Sequence, residues 1–88
     1  MRVKGSGGRL LAGGRPVAQV HAWELEDAVG GYLATAQLSV VDAFYLDQLT
    51  TFDVELMLGG RRLFWRRLPV TVSGVVATFG IDRIREDK

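Results

Sequence analysis

The stretch Arg61-Arg62-Leu63-Phe64-Trp65-Arg66-Arg67 concentrates more chemistry than any other part of this 88-residue chain. Four guanidinium groups interleaved with two aromatic rings can grip phosphates while the rings stack on bases. On a strand, side chains alternate between faces, so Arg61, Leu63, Trp65 and Arg67 point one way and Arg62, Phe64, Arg66 and Leu68 the other. Cations and rings are then split over two faces, unlike a dedicated stacking platform. Two other readings suit the same residues. One is an edge hairpin guarded by charge against aggregation. The other is a subunit interface, where Arg and Trp are favoured anchors. Together with Trp23 and Tyr45, the residues Arg61, Arg62, Phe64, Trp65, Arg66 and Arg67 form the candidate interface, with nucleic acid as the alternative partner.

Catalytic chemistry is harder to assemble. His21 is the single histidine and lies in an apolar stretch beside Trp23; a lone strand histidine is far more often structural or exposed than catalytic. Asp53 and Glu55 stand two apart and can act as a carboxylate pair, but the ordinary reading is the solvent face of an amphipathic strand. No spacing of His, Asp or Glu converges on a metal. With no cysteine there is no thiolate nucleophile, thiolate metal site or disulfide. Gly5-Ser6-Gly7-Gly8 leads into a strand pattern, so no helix N-terminus is offered to a phosphate. No catalytic, cofactor-binding or metal-binding residue is expected, and the chain is not read as an enzyme.

The bulk properties agree with a protein that works by contact. The length suits one small domain with one core, read here as residues 1–84 followed by a charged tail, 85–88, expected to be mobile. Hydrophobic residues make up 48% of the chain, so part of the apolar surface is expected to be completed by a neighbouring subunit. A net charge of +1 sets up no overall field for nucleic acid or membrane. Met-Arg-Val-Lys-Gly has no apolar run behind it, so no signal peptide is expected, and no stretch approaches the roughly 20 apolar residues of a spanning helix.

The elements that must position these residues are marked by glycine pairs: Gly7-Gly8, Gly13-Gly14, Gly30-Gly31 and Gly59-Gly60. Glycine reaches positive φ without steric cost, as tight hairpin turns require. Between the pairs lie Val, Leu, Phe, Tyr and Trp, which suit a pleated, half-buried surface. Strands are expected at 9–12 and 17–26, the latter with a bulge near His21–Ala22 because its alternation slips. Tyr32, Ala34, Ala36, Leu38 and Val40 then alternate cleanly with polar residues. Asp42 opens a short helix to about Leu49, its carboxylate accepting the free amides of the first turn, with Phe44, Tyr45, Leu46 and Leu49 as an apolar side plugging one end of the sheet. Phe52, Val54, Leu56 and Leu58 define an amphipathic strand, hairpinned at Gly59-Gly60 to 61–68. Pro69 marks an edge or a strand start, 70–79 is interrupted at Gly74, and 81–84 closes the sheet. The fold class is mainly β: a small antiparallel barrel or sandwich of six to seven strands with one short helix near 42–49.

Gly8-Arg9-Leu10-Leu11, Gly14-Arg15-Pro16-Val17-Ala18-Gln19-Val20 and Trp23-Glu24-Leu25-Glu26 together resemble the opening hairpin of tail-tube proteins of long-tailed bacteriophages. The later order, strand, short helix, amphipathic strand and hairpin, is similar in outline too. The chain has no counterpart of the long arm or loop those proteins usually carry. The resemblance implies a structural component of a phage or phage-derived particle (tail, head-tail or baseplate) in the virion or bacterial cytoplasm, partnered by its own copies or other particle subunits. The alternative is a small nucleic-acid-binding barrel using Arg61–Arg67.

Overall fold

The computed structural model describes residues 2–87. In chain order the elements are β1 (Arg2–Ser6), β2 (Gly8–Ala12), β3 (Arg15–Ala28), β4 (Gly31–Val40), α1 (Ala43–Gln48), β5 (Thr51–Leu58), β6 (Arg61–Pro69), β7 (Thr71–Ser73) and β8 (Val76–Ile81). The eight strands form one curled antiparallel sheet in the order β6-β5-β2-β3-β4-β8-β7, with β1 beside β3. Because β6 runs through Val70 straight into β7, one continuous stretch supplies both ends of that order. The sheet therefore curls on itself into a half-barrel.

Gly13 and Gly14, at φ 58° and 80°, make the two-residue turn between β2 and β3, with the paired positive φ of a type I′ hairpin. The pairing of β3 with β4 slips between Val20 and Ala22, where the broken alternation predicts a bulge. The extra residue returns Trp23 and Leu25 to the same side as Ala18 and Val20, and all four are buried. Asp42 caps α1 as expected, its Oδ1 accepting from the Phe44 amide at 3.1 Å. The core joins these residues to Leu10, Leu38, Leu46, Phe52, Val54, Leu56, Leu63, Trp65, Phe79 and Ile81.

Several boundaries differ from the sequence reading. A strand precedes the glycine-rich start: Arg2–Ser6 pairs along Trp23–Glu26 and Ala22, and Arg2 is held by Glu24 at 2.6 Å and Glu26 at 2.7 Å. Alternating polar and small residues gave β1 no apolar face, so periodicity missed it. The last strand ends at Ile81, not Ile84. Residues 85–87 are docked rather than mobile: the Phe64 amide donates to the Arg85 carbonyl at 3.0 Å, and the Asp87 amide to the Arg62 carbonyl at 2.8 Å. Lys88, like Met1, lies outside the described residues. Of the apolar side of α1, only Leu46 is buried, while Phe44 and Leu49 are exposed.

Candidate functional site

The Gly59-Gly60 hairpin sets Met57 opposite Arg62 and Glu55 opposite Phe64. That register puts Arg62, Phe64 and Glu55 on the outer face of the sheet, while Leu63 and Trp65 point into the core. A second slip, between Phe52 and Val54 on β5, sets two residues of β6, Arg66 and Arg67, against Asp53 alone. Arg67 takes φ 53° there, and its amide donates to Asp53 Oδ1 at 3.0 Å. The bulge also brings Leu68 round to the core side, where it packs against the buried cluster. Strict alternation along β6 places Leu68 outside, and the bulge reverses it.

Carboxylates from distant parts of the chain reach the outer face. Glu55 accepts from Arg9 Nε and Nη2 at 3.0 and 3.2 Å and from Arg62 Nε at 2.5 Å. Arg62 also pairs with Asp87, and Arg61 with Glu86 at 3.4 Å. The Arg62 guanidinium lies over the Phe64 ring, 4.3 Å from its centroid, with Arg66 on the same ring at 5.9 Å. Glu55 is 7% exposed, the one buried charged residue among those described. Its hydrogen bonds from Arg9 hold its carboxyl below the usual carboxylate range against the opposing effect of burial, with Arg62 acting in the same direction; Arg9 is raised in return.

Of the eight candidate interface residues, the structure gathers five, Arg61, Arg62, Phe64, Arg66 and Arg67, along β6. Trp65 and Trp23 are interior, at 4% and 3% exposed. Their indole N–H groups donate to the Arg83 carbonyl at 3.0 Å and the Met57 carbonyl at 3.2 Å, so both rings hold the fold together rather than face a partner. Tyr45 sits on α1 under the Arg15 guanidinium, 5.5 Å from the ring centroid. The cleft beside Tyr45 shares Ala12, Gly13 and Leu49 with a second cleft that reaches Arg66 and Arg67. One end of the half-barrel thus carries Arg15, Tyr45, Arg66 and Arg67 on a continuous surface.

The other chemistry singled out from sequence is dispersed. His21 is exposed on β3 and hydrogen-bonded with Ser39 of β4. Asp53 and Glu55 have separate partners and do not work as a pair. Among the described residues, no group of three or more His, Cys, Asp or Glu is placed to hold a metal ion, and no helix is long and apolar enough to cross a membrane. Sequence reasoning missed Arg9, Glu86 and Asp87. For Glu55 and Arg62 a signal was present, since counting back from the two-residue Gly59-Gly60 turn sets them diagonally adjacent. Comparison with protein-family models, curated proteins and solved structures returns no match.

Proposed function

We propose that this domain is a non-enzymatic structural protein that acts by assembly with its own copies or with other subunits. One observation carries the reading. At the end of β4 and the start of α1, Val40, Val41 and Phe44 are 46%, 57% and 66% exposed, with Leu49 exposed at the far end of the helix. The loop that presents them is pinned, because the Val17 carbonyl accepts from the Val41 amide at 2.9 Å and the Asp42 amide at 3.0 Å. Apolar side chains held out on a fixed loop lose little further freedom on docking, which favours association. Exposed apolar surface of this kind marks contact sites.

The particle we propose is a phage or phage-derived one, in its tail, head-tail junction or baseplate. The support is the order of elements set out above: an opening glycine hairpin, a long strand, one short helix, an amphipathic strand and a second hairpin. The rival reading, a nucleic-acid-binding barrel, would use Arg61–Arg67, and pairing of Arg61 and Arg62 with carboxylates weakens it. Light scattering of the full chain across concentration tests the proposal: mass rising with concentration is the expected result, and a monomer throughout, with no recruitment into particles by neighbouring gene products, overturns it. Titration with single- and double-stranded oligonucleotides at two salt concentrations tests the rival. Tight binding that weakens steeply with salt and is lost in Arg66→Ala and Arg67→Ala would put that reading in its place.

A further inference from the structure

β6 stands at one end of the strand order, so among the described residues its outer edge has no full strand beside it. An unpaired edge is a template for another extended segment. In this structure the template is filled by a segment of the same chain. Residues 85–87 run antiparallel to β6, with Glu86 opposite Leu63, the Arg85 carbonyl on the Phe64 amide and the Asp87 amide on the Arg62 carbonyl. The two adjacent carboxylates then meet two adjacent guanidiniums: Glu86 takes Arg61, and Asp87 takes Arg62. The edge thus selects an extended backbone carrying consecutive acidic side chains.

This seating is shallow. Every residue from Asp82 to Asp87 is exposed, so backbone hydrogen bonds and solvent-screened ion pairs hold the segment without a buried apolar anchor. Exposed ion pairs are weak individually and weaken further with salt. The link back to β8 is tethered to the barrel where the Trp65 indole donates to the Arg83 carbonyl. We propose that the outer edge of β6 is a docking site for an extended segment with two consecutive acidic side chains, occupied in cis by residues 85–87 and open to the same segment of a second copy. That segment offers the same backbone groups and carboxylates, so the contacts made in cis can be remade in trans. Exchange of an identical element between protomers is a low-cost route to association, and strand addition is a common means of peptide recognition. The inference rests on the assembly reading above and adds a contact, apart from Val40, Val41 and Phe44, by which copies can join.

The test uses the full chain and a labelled peptide of residues 82–88. In a Glu86→Lys/Asp87→Lys variant the tail is repelled by Arg61 and Arg62, leaving the edge free. The expected result by fluorescence anisotropy is peptide binding about tenfold or more tighter than to the unaltered chain, where the cis tail competes. Binding should fall as salt rises and vanish for a peptide with the same two reversals. A variant that keeps its circular dichroism spectrum yet binds no peptide overturns the docking site; should the reversed variant not fold, Glu86→Gln/Asp87→Asn serves the same comparison. Light scattering separates the two proposals. Association of the unaltered chain that drops in the tail variant supports exchange between copies. Equal association of both overturns exchange while leaving assembly standing, and a strictly monomeric unaltered chain overturns exchange along with self-assembly even where the peptide binds.

Discussion

Gly5 of β1 lies directly against the indole of Trp23 on β3, so close that a Cβ on Gly5 would overlap the ring. The missing side chain lets the indole pass across β1 and donate to the Met57 carbonyl of β5 at 3.2 Å. One ring therefore ties together three strands, and the glycine is what admits it. Gly5→Ala should destabilise the fold by about 1–3 kcal/mol, the usual cost of forcing a methyl into a packed site. Urea unfolding followed by Trp fluorescence checks it. An unchanged midpoint would mean that β1 moves aside freely.

Trp65→Ala should cost about 3–5 kcal/mol, as large aromatic truncations in cores do. The loss combines an interior ring with its hydrogen bond to the Arg83 carbonyl. Native stabilities of small domains are only about 5–15 kcal/mol, so the variant will be marginal. Any loss of assembly in it follows from unfolding, which a thermal melt of the monomer will show. Arg62→Ala removes a side chain from the outer face instead and should leave the core intact.

The contrast between these two residues also shows which parts of the fold were legible. Strands β3 to β6, the bulge near His21 and the Asp42 cap each follow from a local signal: alternation, a slip in alternation, or an aspartate before a helical turn. The slip at Arg66–Arg67 leaves an ambiguous mark, because plain alternation sets Arg67 with Leu63 and Trp65 and turns Leu68 outward, which reads equally as cations split over two faces. Only the pairing with β5 shows that Trp65 and Leu68 share the inner side while Arg66 and Arg67 face Asp53 together. The outer-face cluster was hidden for a related reason. Glu55 lies far in sequence from Arg9 and from the tail, and a buried carboxylate on a strand reads as an exposed one until its partners are placed around it.

Arg67 occupies the left-handed region at φ 53°, where a side chain other than glycine is strained. Arg67→Gly relieves that strain and keeps the amide hydrogen bond to Asp53. Stability should rise by up to about 1 kcal/mol, the relief offset in part by glycine's greater freedom in the unfolded chain. A shift of the urea midpoint downward would show that the Arg67 side chain makes contacts worth more than the strain.

Glu55 links stability to acid. Its carboxyl is held below the usual range in the folded protein, chiefly by Arg9, so folding favours the ionised form. The contribution is complete above the unfolded value of about 4.3 and is lost as pH falls from there through the folded value. Glu55→Gln should therefore be less stable near neutral pH, by about 1–2 kcal/mol given that both arginines are partly solvated. The difference should narrow as pH drops below about 4. Urea melts of both proteins across that window give the measurement, and a constant gap would show that the difference does not come from ionisation of Glu55.

Phe44→Glu separates assembly from folding. Phe44 lies in the first turn of α1, is 66% exposed and has its ring edge-on to Tyr45, with centroids 5.3 Å apart. A carboxylate there sits near the positive end of the helix, and exposed substitutions usually change stability by about 0.5 kcal/mol or less. The monomer should melt close to the unaltered protein. If Val40, Val41 and Phe44 form the contact, placing a charge at its centre should weaken association at least about tenfold, because the carboxylate must be desolvated without a partner. Leu46→Ala supplies the converse. Leu46 is buried beneath the same helix, so its truncation should lower the melting temperature of the monomer and affect association only as far as the helix loosens. Association that survives Phe44→Glu unchanged would move the contact away from this end of the half-barrel.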